Sequence, residues 1–305
     1  MKHWILYIFL IFPVLASAQL HSLSNQYVFN GLAINPAYAG SDEAFSTTLM
    51  YRNQWTGFKG APKTITASLH SPLRNELVGL GLLVVNDQIG VNSETSILAN
   101  YAYMIETGQG KLSFGIGLGV TFLDVEWDKL NSVDVEDIEL NSQNVNVTNP
   151  NFSAGVYYYQ DNFFLGVSIP FFLSYSYAGE DSQLLELKND ISEYNIHITS
   201  GYRMELNRNL HFYPSVLLKY NPGSTFQADL SGQFILRQRL WLGLTYRSVD
   251  VLAFITQVQI TDQLRVAYSY DTGLKQSSRY YGGSHEIMLK YIFNFNARVV
   301  GPGRF

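Results

Sequence analysis

The chain has 305 residues, 47% of them hydrophobic, 14% aromatic and 15% charged. That is fewer charges than the quarter or so usual for a soluble domain, yet beyond the N-terminus no segment reaches the ~18 consecutive apolar residues of a membrane helix. A formal net charge of −5 without any Lys/Arg-rich stretch argues against nucleic acid, and the lack of cysteine excludes disulfides, thiolate metal sites and thiol catalysis.

In chain order, Met1-Lys2-His3-Trp4 leads into the apolar run Ile5 to Leu15 and then Ala16-Ser17-Ala18. A positive end, an apolar core and a small-x-small site predict a cleaved signal peptide over 1–18. The run is too short to span a bilayer, and no cysteine follows it to carry a lipid anchor. Residues 19–43 include Asn35-Pro36-Ala37-Tyr38-Ala39-Gly40. Its Pro and Gly predict an ordered turn, on the periplasmic side or tucked into a lumen.

From 44 to 296 the pattern has period two. In Leu112-Ser113-Phe114-Gly115-Ile116-Gly117-Leu118-Gly119-Val120-Thr121-Phe122 every even position is apolar and nearly all are large, and every odd one is small or polar. A strand sends such sets to opposite faces. Similar segments are expected near 44–55, 64–73, 77–88, 93–106, 110–127, 152–161, 163–174, 193–206, 209–221, 224–236, 239–249, 251–261, 263–274 and 284–294. The fold class is therefore all-β: a transmembrane antiparallel outer-membrane β-barrel of about 14 strands. Charged positions should face the lumen, since lipid penalises them. Residues 297–305, broken by Gly and Pro, read as a periplasmic tail.

The connections support this count. The long joins, 128–151, 175–192 and 272–283, follow odd-numbered strands, while those after even-numbered strands are tight. A barrel with both termini in the periplasm alternates loops and turns in this way. In the first long join Asp128, Asp134, Glu136, Asp137 and Glu139 suggest calcium, but the Asp-x-Asp-x-Asp-Gly spacing is missing and a solvated loop fits better. No metal or other cofactor is expected. Tyr157-Tyr158-Tyr159 reads as periplasmic girdle and lumen packing. Gly79, Gly81, Gly115, Gly117, Gly119, Gly155, Gly166, Gly201, Gly232 and Gly243 fall within strands. They are read first as wall curvature, and second as bare backbone against which something packs. Inward positions rich in Gly, Ala, Ser and Tyr suggest a narrow or plugged lumen.

Catalysis is not expected. His70 and Ser71 are adjacent and so point to opposite faces, and no Gly-x-Ser-x-Gly, His-Glu-x-x-His or phosphate loop is present.

Two blocks carry a family resemblance. Asn35-Pro36-Ala37-Tyr38-Ala39-Gly40, together with Tyr51-Arg52-Asn53-Gln54-Trp55-x-Gly57-x-x-Gly60-Ala61-Pro62-x-Thr64, resembles the signature of the PorP/SprF outer-membrane proteins of the Bacteroidetes type IX secretion system. Weaker echoes, such as Trp241-x-Gly243-x-x-Tyr246-Arg247, extend over the mature chain. The resemblance implies a non-enzymatic barrel serving protein secretion and, in gliding relatives, surface display of large adhesins. Its implied partners are the periplasmic ring with its peptidoglycan-binding partner, or the C-terminal signal domain of an adhesin. By alternation, Arg52 and Gln54 should point into the barrel, where a buried arginine needs a carboxylate or backbone carbonyls. A wall salt bridge is the favoured role for Arg52, with cargo contact the other. Gly57, Gly60 and Pro62 would shape the first external hairpin. Alternation alone would equally support a passive porin or diffusion channel.

Overall fold

In the computed structural model the described residues are 24–74, 76–127, 144–172, 174–177, 185–188, 194–222, 226–248, 250–275 and 282–293. The signal segment 1–18, the acidic run 128–139 and the tail 297–305 lie outside them.

The strands are β1 (Phe45–Asn53), β2 (Lys63–Pro72), β3 (Val78–Ile89), β4 (Asn92–Thr107), β5 (Gly110–Val125), β6 (Val145–Tyr159), β7 (Phe163–Ile169), β8 (Ser174–Tyr177), β9 (Leu185–Lys188), β10 (Ile196–Tyr202), β11 (Met204–Asn207), β12 (Leu210–Tyr220), β13 (Phe226–Leu236), β14 (Leu240–Arg247), β15 (Val251–Gln259), β16 (Leu264–Gly273) and β17 (Ser284–Phe293). β8 and β9 pair only with each other. The remaining strands form one antiparallel wall, closed by β1 against β17 and by β10 against β12. With β10 and β11 counted as one interrupted strand, the barrel has fourteen, as the alternation predicts.

Three boundaries differ from the sequence expectation, of which the simplest is β7, ending at Ile169 and not near 174. β6 begins at Val145 and not near 152, because its polar first half pairs with the outer part of β5, from Val125↔Val145 to Gly119↔Asn151. The eighth wall strand breaks at Arg203. The register sets Tyr202 opposite Pro214, which has no N–H to give the ladder, while on the other side the Arg203 N–H continues the β7 ladder to the carbonyl of Asn162 at 2.8 Å.

Period-two burial sorts the two faces. On β5 the exposed Phe114, Ile116, Leu118, Val120 and Phe122 alternate with inward Ser113, Gly115, Gly117, Gly119 and Thr121. On β1 Phe45, Leu49 and Tyr51 face out while Met50 and Arg52 face in. Burying these outer side chains in hydrocarbon, with each backbone polar group paired around a closed ring, is the condition for a barrel to span lipid. The tight turns cluster at one end of the wall and the longer loops at the other.

Candidate functional site: a luminal plug on a bare wall

Residues 24–44 lie inside the barrel and touch the inner faces of most wall strands. Their path is set by two short 3-10 turns, Gly31–Ala33 and Pro36–Tyr38. Asn35 caps the second: its Oδ1 accepts the N–H of Ala37 at 2.9 Å, and Pro36 supplies a fixed φ at the first turn position. The same amide donates from Nδ2 to the Val156 carbonyl of β6 at 3.0 Å. Ser113 of β5 donates to the Ala37 carbonyl at 2.7 Å, and Ser168 of β7 to that of Ile34. Gly40, at φ +84, turns its N–H to His70 Nδ1 at 3.1 Å.

The strand glycines explain how the turn gets this close. A Cβ on Gly115 would overlap the backbone of Pro36 and Ala37, one on Gly79 the Ala39 carbonyl, and one on Gly155 the Asn35 side chain. At these three positions the glycines serve close packing, so the reading as wall curvature gives way to its alternative. The bare patch spans β3, β5 and β6, and the Asn35–Gly40 block fits onto it.

Beside the patch the interior is apolar. Phe29, Leu32 and Tyr38 pack with Met104, Tyr157, Phe164 and Tyr213. Tyr38 and Tyr157 stand 5.4 Å apart and Tyr157 and Phe164 5.8 Å, within range for favourable ring contact. Tyr157 and Tyr159 are thus plug contacts inside the wall, and Tyr158, whose register faces outward, is the member left for a girdle.

Charge holds the rest. Arg52 reaches Asp271 at 2.6 Å and Glu286 at 3.1 Å. Arg247 pairs with Asp229 at 3.0 Å, and Lys219 lies 3.9 Å from the same carboxylate. Three cations thus face three anions. Asn25 joins the two pairs, donating to Asp271 at 2.7 Å and accepting from Arg247 at 3.2 Å, while Ser24 donates to Glu286 at 2.7 Å. Nearer the tight-turn end Asp42 meets Lys290 at 2.8 Å and His70 at 3.4 Å, and accepts from the Tyr38 hydroxyl at 2.9 Å. Burial alone would raise the Asp42 carboxyl, but Lys290 and His70 outweigh it and hold it well below the usual carboxylate range. Burial, with Asp42 nearby, pushes the Tyr38 hydroxyl well up. At the rim Lys111 binds Glu43 at 2.7 Å and lies 3.6 Å from Glu76.

The second signature block ends elsewhere. Gln54 is buried, its N–H on the Pro62 carbonyl at 2.9 Å, and Thr64 donates to Asp87 at 2.7 Å. Beyond Gln54 the β1–β2 loop emerges with Trp55 40% and Phe58 64% exposed. Gly57 at φ +94 and Gly60 at φ +79 supply backbone forms that other residues rarely adopt. Gly60 rests on Gly90, and Thr56 ties the loop to Gly283 at 3.0 Å, while Ala61 and Pro62 lead into β2. The two blocks therefore occupy different places. The Asn35–Gly40 turn lies against β3 to β6, whereas Arg52 joins β16, β17 and the start of the plug. Asp271, Glu286, Asp229, Asn25, Asp42 and Lys290 were not singled out from sequence as partners. Alternation marked those within strands as inward but could not say what they meet. Among the described residues no group of three or more His, Asp or Glu is arranged to hold a metal.

Comparison with known proteins gives the following. A family model described as type IX secretion system membrane protein PorP/SprF matches residues 16–291. No curated protein matches the chain. Among solved structures, the CymD monoaromatic hydrocarbon channel aligns with TM-score 0.53 and 12% identity over 91% of this chain and 95% of its own. A FadL homologue of Pseudomonas aeruginosa aligns with TM-score 0.48 and 13% identity over 92% and 96%. Omp33 of Acinetobacter baumannii does so with TM-score 0.48 and 9% identity over 83% and 100%.

Proposed function

Since this chain belongs to the PorP/SprF family of type IX secretion membrane proteins, we propose that it is a plugged outer-membrane barrel that supports protein secretion by binding, and neither catalyses a reaction nor passes solutes. The observation that carries this reading is the segment 24–44, fitted to bare wall at one place and ion-paired at others, where a diffusion channel would need open lumen. In this reading the tight-turn end and both termini face the periplasm and the loop end faces outward. The periplasmic end meets the secretion ring and its peptidoglycan-binding partner. The exposed Trp55 and Phe58 of the signature loop suit contact with cargo such as the C-terminal signal domain of a large gliding adhesin, since aromatic side chains anchor interfaces well.

The test is isolation of the tagged protein from its own outer membrane in mild detergent, mass spectrometry of what accompanies it, and conductance of the reconstituted barrel. Secretion-ring proteins or a large adhesin beside a poorly conducting barrel are expected. A partner-free barrel with steady conductance would replace the reading with that of a porin.

A further inference from the structure

The tight-turn end carries an arc of arginines that the plug does not use. Arg208 lies in the β11–β12 turn, and Arg237 and Arg239 lie in the β13–β14 turn, all exposed. The hairpins are stitched side by side. Leu210 is paired with Leu236, the Arg237 N–H donates to the Asn209 carbonyl at 2.7 Å, and the Arg239 carbonyl accepts from Gln259 at 2.8 Å. Among the described residues the three guanidinium groups form no hydrogen bond or ion pair. The same rim elsewhere satisfies Lys111 with Glu43 and Glu76. The adjoining turns carry Asp161 and Asp262, and Glu205 lies on β11; counting Arg203 beside them, four arginines face three carboxylates and the stretch keeps a net positive charge.

Its depth points to the ligand. Exposed Leu206, Phe234, Leu236, Leu242 and Ile260 carry the lipid-facing surface down to these turns. The arginines therefore stand where hydrocarbon ends and headgroup phosphates begin, not on a stalk beyond the membrane. A guanidinium presents a planar fork suited to phosphate oxygens and is weakly hydrated, which favours it over an ammonium at such a boundary. The β13–β14 turn is built on two left-handed residues, Arg237 at φ 48 and Gln238 at φ 55. Asn-Gly would fit there with less strain.

We propose that Arg208, Arg237 and Arg239 form a binding site for the phosphate headgroup of an anionic glycerophospholipid in the leaflet at the tight-turn end. The site needs only a lipid-embedded barrel and stands apart from the secretion reading. The experiment is native mass spectrometry of the full-length protein titrated with phosphatidylglycerol or phosphatidylcholine. Wild type is compared with Arg208→Ala/Arg237→Ala/Arg239→Ala, the matching triple Lys variant, and Arg74→Ala from another turn of the rim. Wild type should retain phosphatidylglycerol over phosphatidylcholine, with affinity falling roughly fivefold per arginine removed, less in the Lys variant and not at all in Arg74→Ala. Unchanged retention in the triple Ala variant, despite a native far-UV spectrum, would overturn the proposal. So would equal loss in Arg74→Ala, or displacement by millimolar inorganic phosphate, which would mark a site for free anion.

Discussion

The two ends of the plug are held by opposite means. Residues 35–40 are held by shape, with bare backbone at Gly79, Gly115 and Gly155 receiving a capped turn and few charges nearby. Residues 24–26 are held by charge, through a balanced set of side chains from β1, β12, β13, β14, β16 and β17. A shape seat tolerates no added atom yet is indifferent to salt and pH. A buried charge network tolerates rearrangement but not the loss of one member. Asp42 lies between the two, on the turn's own chain but ion-paired to the wall.

The sharpest way to break the contrast is Arg52→Ala, which leaves Asp271 and Glu286 without their cation. It should cost about 3–5 kcal/mol in urea unfolding from lipid vesicles, whereas Arg52→Lys should cost clearly less. A loss within error for Arg52→Ala would mean that the charged end contributes little. Next comes Gly115→Ala, whose Cβ meets rigid backbone and should cost about 1–3 kcal/mol. Because the chain has no cysteine, a single Ser41→Cys reports the seat directly. That buried position should react slowly with a thiol reagent in the parent and quickly once Gly115→Ala is added. Gly117→Ala is the control: its Cβ would meet the side chains of Ser153 and Asn100, which can move, so labelling should change little. Equal effects of the two would remove the seat from the account. Asn35→Ala should cost about 1 kcal/mol through the lost cap, and adding salt should not alter that figure.

The smallest effect at neutral pH concerns acid. The Asp42 carboxyl is held below its ordinary value of 3.8, so its contribution is complete above that value and fades as pH falls through the lower folded value. Plug labelling should therefore quicken only in strong acid, and Asp42→Asn should flatten that dependence while weakening the plug at pH 7. Loosening already at pH 6 that persists in Asp42→Asn would assign the sensitivity to a different group.

Much of the wall could be read from the chain because alternation is a local signal. The fourteen strands, their inward and outward faces and the inward turn of Arg52 all follow from a side-chain period of two. The break at Arg203 was hidden because its cause, Pro214, sits on a neighbouring strand. The aromatic run at 157–159 was ambiguous because inner and outer rings look alike in sequence when both faces are apolar.

By itself the sequence determined a closed antiparallel barrel with small residues turned inward, since a two-residue repeat and the cost of unpaired backbone in lipid leave few other solutions. The tertiary structure decided what those small residues were for. Arg52 meets Glu286 across 234 residues only because β1 closes on β17, and Gly115 meets Ala37 only because the chain before the first strand folds back into the lumen. Closure and insertion join residues that no local pattern relates, and the fit of plug to wall comes from those long-range contacts.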